Sequence, residues 1–75
     1  MPHRKAVKNV THSLEAFDYV RERYKVPARV GALVLYKGRP GVIVGARGCY
    51  IRVRLDGETY VGNYHPTWEM VYVNS

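Results

Sequence analysis

Leu14, Phe17, Val20 and Tyr24 recur at intervals of three and four residues, with Val10 just ahead of them. On an α-helix that spacing gathers them into one apolar stripe. Thr11 or Ser13 supplies a hydroxyl that can cap an otherwise orphaned amide at the start. Glu15 and Asp18 stand near the positive end of the helix dipole, and Arg21, Arg23 and Lys25 near its negative end, which is the favourable order of charges. Pro27 has no amide to continue the ladder and disfavours a helical residue before it. The pattern predicts an amphipathic helix over 11–26. Ahead of it, residues 1–10 show neither period and read as a flexible basic arm.

After Pro27 the period changes to two, and β-branched and aromatic residues dominate. Strands are predicted at Val30 to Tyr36, Gly41 to Ala46, Cys49 to Leu55, Glu58 to Tyr64 and Met70 to Val73. The corners between them are Lys37-Gly38-Arg39-Pro40, Arg47-Gly48, Asp56-Gly57 and His65-Pro66-Thr67-Trp68. Asp56-Gly57 reads as a two-residue type I′ hairpin, because both central residues of that turn need positive φ, which Asp tolerates and Gly accepts freely. In that register Leu55 faces Glu58, Val53 faces Tyr60, Ile51 faces Gly62 and Cys49 faces Tyr64 on the core side. Tyr50, Arg52 and Arg54 then form an outward row at intervals of about 7 Å, twice the rise of a strand residue. Five short antiparallel strands on so small a chain favour a barrel, which removes exposed edges, over an open sheet. The expected fold is mainly β: a five-stranded antiparallel barrel over 28–75, preceded by the arm and one N-terminal helix. All three parts form a single domain.

Charge sharpens this picture. The 75-residue chain carries 12 Lys and Arg against 6 Asp and Glu, a net charge of +6. Most of the surplus lies between Met1 and Val30, where Arg4, Lys5, Lys8, Arg21, Arg23, Lys25 and Arg29 outnumber Glu15, Asp18 and Glu22. Such a balance favours anionic partners, phosphates or acidic protein surfaces, although solubility alone also accounts for it. No apolar run approaches the roughly 20 residues that span a bilayer. The basic N-terminus is not followed by an apolar segment of the kind that marks secretion, and Cys49 stands alone. The expectation is a soluble cytoplasmic protein with no membrane partner.

Catalytic and metal chemistry find little support. His3, His12, Cys49 and His65 have none of the paired spacings that zinc sites use. Cys49 with His65 is a conceivable nucleophile and base, but the hairpin register turns Cys49 inward, where a thiol is inert. Asp56, Glu58 and Glu69 are explained by turn chemistry and solubility, and no cofactor is implied. Binding residues are easier to name. Tyr50, Arg52 and Arg54 combine stacking with phosphate pairing, unless they are an ordinary solvated face. Lys37, Arg39 and Arg47 sit in corners and extend that surface or keep the loops soluble. Arg4, Lys5 and Lys8 of the arm and Arg21, Arg23 and Lys25 of the helix are the other candidates for partner contact. Structural roles fall to Asp56 and Gly57 in the turn and to Tyr60, Tyr64 and Trp68 in the core. Trp68 is expected to close one end of the barrel with Tyr64 packed on it. The alternative is an aromatic groove for proline-rich peptides. The helix stripe packs on the barrel or docks into a partner's groove.

The order Val30, Val34, Gly38, Gly41, Ile43, Gly45, followed by Val53-Arg54-Leu55-Asp56-Gly57, resembles the SH3-like small barrels, most closely the KOW and Tudor-like branch of transcription elongation and ribosomal proteins. The resemblance covers Ala28 to Val73. It implies binding to RNA polymerase, RNA or ribosomal partners. The helix-plus-barrel plan is also similar to that of phage-encoded transcription regulators that bind host RNA polymerase. What that likeness implies is a non-enzymatic regulator contacting RNA polymerase subunits, to inhibit initiation or allow antitermination, with RNA or DNA as a further partner. The rival expectations are a stand-alone RNA-, DNA- or ribosome-binding barrel and a peptide-binding adaptor.

Overall fold

The computed structural model describes residues 15–73, so the arm expected over 1–10, with Arg4, Lys5 and Lys8, lies outside the described residues, as do Thr11, Ser13 and Leu14. Within the described chain, helix α1 covers residues 15–24. It is followed by β1 (Leu33–Tyr36), β2 (Arg39–Arg47), β3 (Tyr50–Leu55), β4 (Gly62–Tyr64) and β5 (Met70–Tyr72). The molecule is mainly β, with five antiparallel strands and one helix.

Phe17 and Val20, the described part of the helical stripe, are fully buried. They join Ala28, Val34, Ile43, Ile51, Val53, Leu55 and Met70 in one core, with Tyr24 packed at its margin. Of the two roles open to the stripe, packing against the sheet is the one it takes. Arg21 fastens the segment that follows. Its Nη1 donates to the Ala28 carbonyl at 2.6 Å and its Nη2 to Asp18 Oδ1 at 2.8 Å, while the guanidinium lies 5.8 Å from the centre of the Phe17 ring. The helix ends at Tyr24, slightly before the expected Val26. Lys25 turns left-handed (φ 57°) and its amide donates to the Arg21 carbonyl at 2.9 Å. That single bond satisfies one of the helix's last orphan carbonyls.

The strand order is β4-β3-β2-β1-β5. The nine-residue β2 pairs with β1 through its first half and with β3 along nearly its whole length, and a bulge between Ile43 and Gly45 bends it. Gly41 makes the close approach possible: a Cβ there would sit 2.9 Å from side-chain atoms of Val53 and Leu55 and 3.1 Å from the Arg54 carbonyl oxygen. The result is a curled sheet. Tyr36 of β1 and Tyr64 of β4, with two strands between them in the sheet, bring their ring centres to 4.6 Å. No ladder joins β4 to β5 among the described residues. The seam between them is spanned by the loop from His65 to Glu69, whose Pro66 is fully buried and accepts a bond at its carbonyl from the Tyr72 hydroxyl at 2.9 Å.

The hairpin geometry departs from expectation. The type I′ signature, positive φ at both central residues of a two-residue loop, occurs at Lys37-Gly38 (51° and 83°) between the paired Tyr36 and Arg39. At Asp56-Gly57 only Gly57 has positive φ (87°), and the Glu58 amide bonds the Leu55 carbonyl at 2.9 Å, the pattern of a type II turn. A type II turn splays its flanking strands. The chain therefore wanders before β4 begins at Gly62, and Ile51 pairs with Tyr64, Arg52 with Asn63 and Val53 with Gly62. This register is slipped by two residues from the expected one. An even slip preserves the faces of the strand, so the outward row on β3 is unaffected. It does expel Tyr60, which is 63% exposed in the loop and not part of the core. Cys49 lies in the turn after Arg47, half-buried, and is not the partner of Tyr64.

Two substitutions separate these constraints with opposite signs. Lys25→Gly relieves a left-handed non-glycine residue and should raise unfolding stability by about 0.5 to 1 kcal/mol. Gly41→Ala forces an added methyl against the Arg54 carbonyl, which cannot swing away, and should lower stability by about 1 to 3 kcal/mol. Urea denaturation midpoints followed by circular dichroism measure both.

Candidate functional site

On β3, Tyr50, Arg52 and Arg54 are exposed while Ile51, Val53 and Leu55 are buried. The alternation expected from the sequence is thus present. Opposite Tyr50 on β2 stands Arg47, and opposite Arg52 stands Gly45, whose missing side chain leaves the arginine stem room to lie across the strand. Among the described residues the ion pairs are Arg21 with Asp18 and Arg39 with Glu58. Arg47, Arg52 and Arg54 are therefore cations without a carboxylate partner there. Arg39 is tied at 3.0 Å to Glu58, and the bond to that carboxylate holds its guanidinium above its ordinary pKa.

Tyr50 also lines a cleft of about 380 Å³ at the β4–β5 seam, together with Tyr36, Tyr64 and the loop residues His65 and Trp68. Trp68 does not close the barrel. It is 69% exposed, with one face stacked on His65 at 4.2 Å between ring centres and 8° between planes. His65 in turn meets the Tyr24 ring edge-on at 4.8 Å, which links the loop to the helix. The His65 Nδ1 accepts the Thr67 amide at 3.1 Å, so the neutral ring carries its proton on Nε2. Pro66 takes the buried position that was expected of Trp68, and the indole is left to present its second face outward.

Lys37, Asn63 and Glu69 provide the polar lining of the cleft. Lys37 and Glu69 both have positive φ (51° and 56°), and the Lys37 amide donates to the Glu69 carbonyl at 3.0 Å. Two left-handed non-glycine residues thus face each other at one rim, a conformation that costs roughly 1 to 3 kcal/mol each unless its surroundings impose it. The Lys37 ammonium rests 5.4 Å from the centre of the Tyr36 ring.

The structure therefore brings Lys37, Tyr50 and Tyr64 into one cleft, with Arg47 opposite Tyr50 and Arg52 next along the outer face of β3, while Arg54, at the far end of the row, lines a separate hollow with Asp56, Gly57 and Glu58. Arg39, opposite Tyr36 on β2, is held by Glu58. Arg21 is engaged within the molecule, Arg23 lies 5.4 Å over the Tyr24 ring, and Lys25 forms the helix cap. Tyr36, Asn63, His65 and Glu69 were not anticipated as site residues. Their only trace in the sequence was the dense aromatic run from Tyr64 to Trp68, read there as mainly structural. Compared with known proteins, the chain matches no family model, no curated protein and no solved structure.

The loop's anchor generates a pH prediction. Burial pushes the Tyr72 phenol up to about 12. The unfolded chain ionises this group near pH 10, before the folded chain does, so its contribution is intact below about pH 10 and is lost between about 10 and 12. The urea midpoint should fall as pH is raised through this window, and fall less steeply in Tyr72→Phe. At neutral pH that variant should be less stable by about 1 kcal/mol, having lost the bond to Pro66. Identical pH profiles for the two proteins would assign the alkaline loss to other tyrosines.

Proposed function

We propose that this protein is a non-enzymatic binding module that holds single-stranded nucleic acid on the outward face of β3 and in the adjoining aromatic cleft. One observation carries the reading: Tyr50 belongs both to the row with Arg52 and Arg54 and to the wall of the cleft with Tyr36, Tyr64 and Trp68. Stacking rings and unpaired guanidinium groups thus form one continuous track. Single-strand binders use this combination, in which each stacked base contributes about 1 to 3 kcal/mol and the cations follow the backbone. The net charge of +6 supports the same class of partner.

A second reading, a regulator docked on bacterial RNA polymerase, has its own support. The other half of the outer sheet face exposes Leu33 (57%) and Val71 (58%), with Val73 beside them. Aliphatic side chains in one exposed patch suit a protein surface and offer little to a phosphate chain. The likeness of the helix-plus-barrel plan to phage-encoded polymerase regulators supplies the candidate partner, and the step controlled would be initiation or termination. On this reading the protein works in the cytoplasm, on a polymerase subunit and on the nucleic acid beside it.

Titrating the full chain with a single-stranded RNA at several salt concentrations tests the first reading. Each phosphate neutralised contributes about −0.7 to the slope of log K against log salt. Arg52→Ala with Arg54→Ala should weaken binding and flatten that slope by about 1.4. An unchanged slope would remove the row from the interface. Retention of nuclease-treated bacterial core polymerase by the wild type, lost on Leu33→Asp with Val71→Asp, tests the second.

A further inference from the structure

Among the described residues Glu69 is the one carboxylate lining the cleft, across from Tyr50 at the head of the β3 row. Among the described residues it has no ion-pair partner. Lys37, which lines the same cleft, rests its ammonium over the Tyr36 ring. The charges of Lys37 and Glu69 offset each other at this rim, so the cleft offers a phosphate no net attraction, and the rings around it suit a base. Glu69 also adopts a left-handed backbone that glycine or asparagine would take more readily, so turn geometry does not account for a glutamate here. The Lys37 amide bonded to its carbonyl fixes its position at the cleft mouth.

An ionised carboxylate only accepts hydrogen bonds, through two oxygens. Guanine alone among the common bases presents two adjacent donors on one edge, N1–H and the N2 amino group, which match those oxygens. Adenine and cytosine each set one amino group beside an acceptor nitrogen. In uracil the single N3–H lies between two carbonyl oxygens that repel a carboxylate. We infer that the cleft is a guanine-reading pocket, in which a base stacked among Tyr50, Tyr64 and Trp68 presents its N1–H and N2 amino edge to the Glu69 carboxylate. This rests on the nucleic-acid reading above and names the base that the track selects. Asn63, opposite Arg52 on β4, is within the same lining and carries both a donor and an acceptor for the remaining polar edge of the ring.

Isothermal titration of the full chain with four RNA hexamers, UUUGUU, UUUAUU, UUUCUU and UUUUUU, tests the inference, with inosine in place of the guanine as a fifth ligand and guanosine monophosphate as a sixth. The guanine hexamer should bind roughly tenfold more tightly than the uridine hexamer, within the range of a bidentate base contact. Inosine, which keeps N1–H and lacks the N2 amino group, should fall between. Glu69→Asn removes the carboxylate and suits the left-handed backbone, so the variant stays folded, and the guanine preference should vanish while salt-dependent binding to all hexamers remains. Guanosine monophosphate binding as tightly as the guanine hexamer would identify the free nucleotide as the source of the base. Equal affinity for the four hexamers would overturn guanine reading and leave the nucleic-acid interface standing. Binding of the mononucleotide with no binding of any hexamer would do the reverse, and no binding of any ligand would overturn both.

Discussion

The burial of Phe17 and Val20 beneath the curled sheet is the interaction on which the rest of the molecule depends. A sheet of five short strands has too little interior to stabilise itself, since small domains bury a low fraction of their surface. Placing two helical side chains among Val34, Ile43, Ile51 and Val53 enlarges that interior. It also ties the helix to the sheet through the Ala28 carbonyl, which Arg21 holds from the helix side. The cation nearest the apolar stripe is therefore spent on architecture. What the helix leaves uncovered is the opposite surface of the sheet and the seam.

How far the chain announces its structure depends on how local each determinant is. The helical stripe and the alternation of β3 follow from a period of side chains along one segment, and both were legible, including the outward row of Tyr50, Arg52 and Arg54. The turn at Asp56-Gly57 was not. Glycine there accepts either turn type, and the choice is made by distant groups: the Asp56 amide bonds the Pro40 carbonyl at 2.8 Å and Glu58 pairs with Arg39, which pins the turn to β2. Lys37-Gly38, the hairpin with the tighter geometry, was read only as part of a longer corner, because lysine is not a residue that positive φ favours. Trp68 was assigned to the core on size and apolarity. Pro66 fills that space instead, held by the hydroxyl of the half-buried Tyr72.

The site follows from the same unfinished closure. Where β4 and β5 do not pair, side chains take over from backbone hydrogen bonds, and the Tyr36–Tyr64 contact and the His65 to Glu69 loop hold the two edges near each other. A seam closed by rings offers grooves between them, whereas a continuous ladder would offer none. The exposed aromatic surface is thus a by-product of how the sheet ends, and Tyr50 carries it onto the face of β3 that bears Arg52 and Arg54.

The stack of Trp68 on His65, and of His65 against Tyr24, has an optical consequence. The chain contains a single tryptophan, and it is largely solvated in the native state. Its emission reports on the cleft and on the ring beneath it, not on the packing of the core. An experimenter who follows unfolding by the red shift of that indole would see little change as the core dissolves, and a large one when a ligand covers its free face. The residue that looks like the natural probe of folding is instead a probe of the cleft.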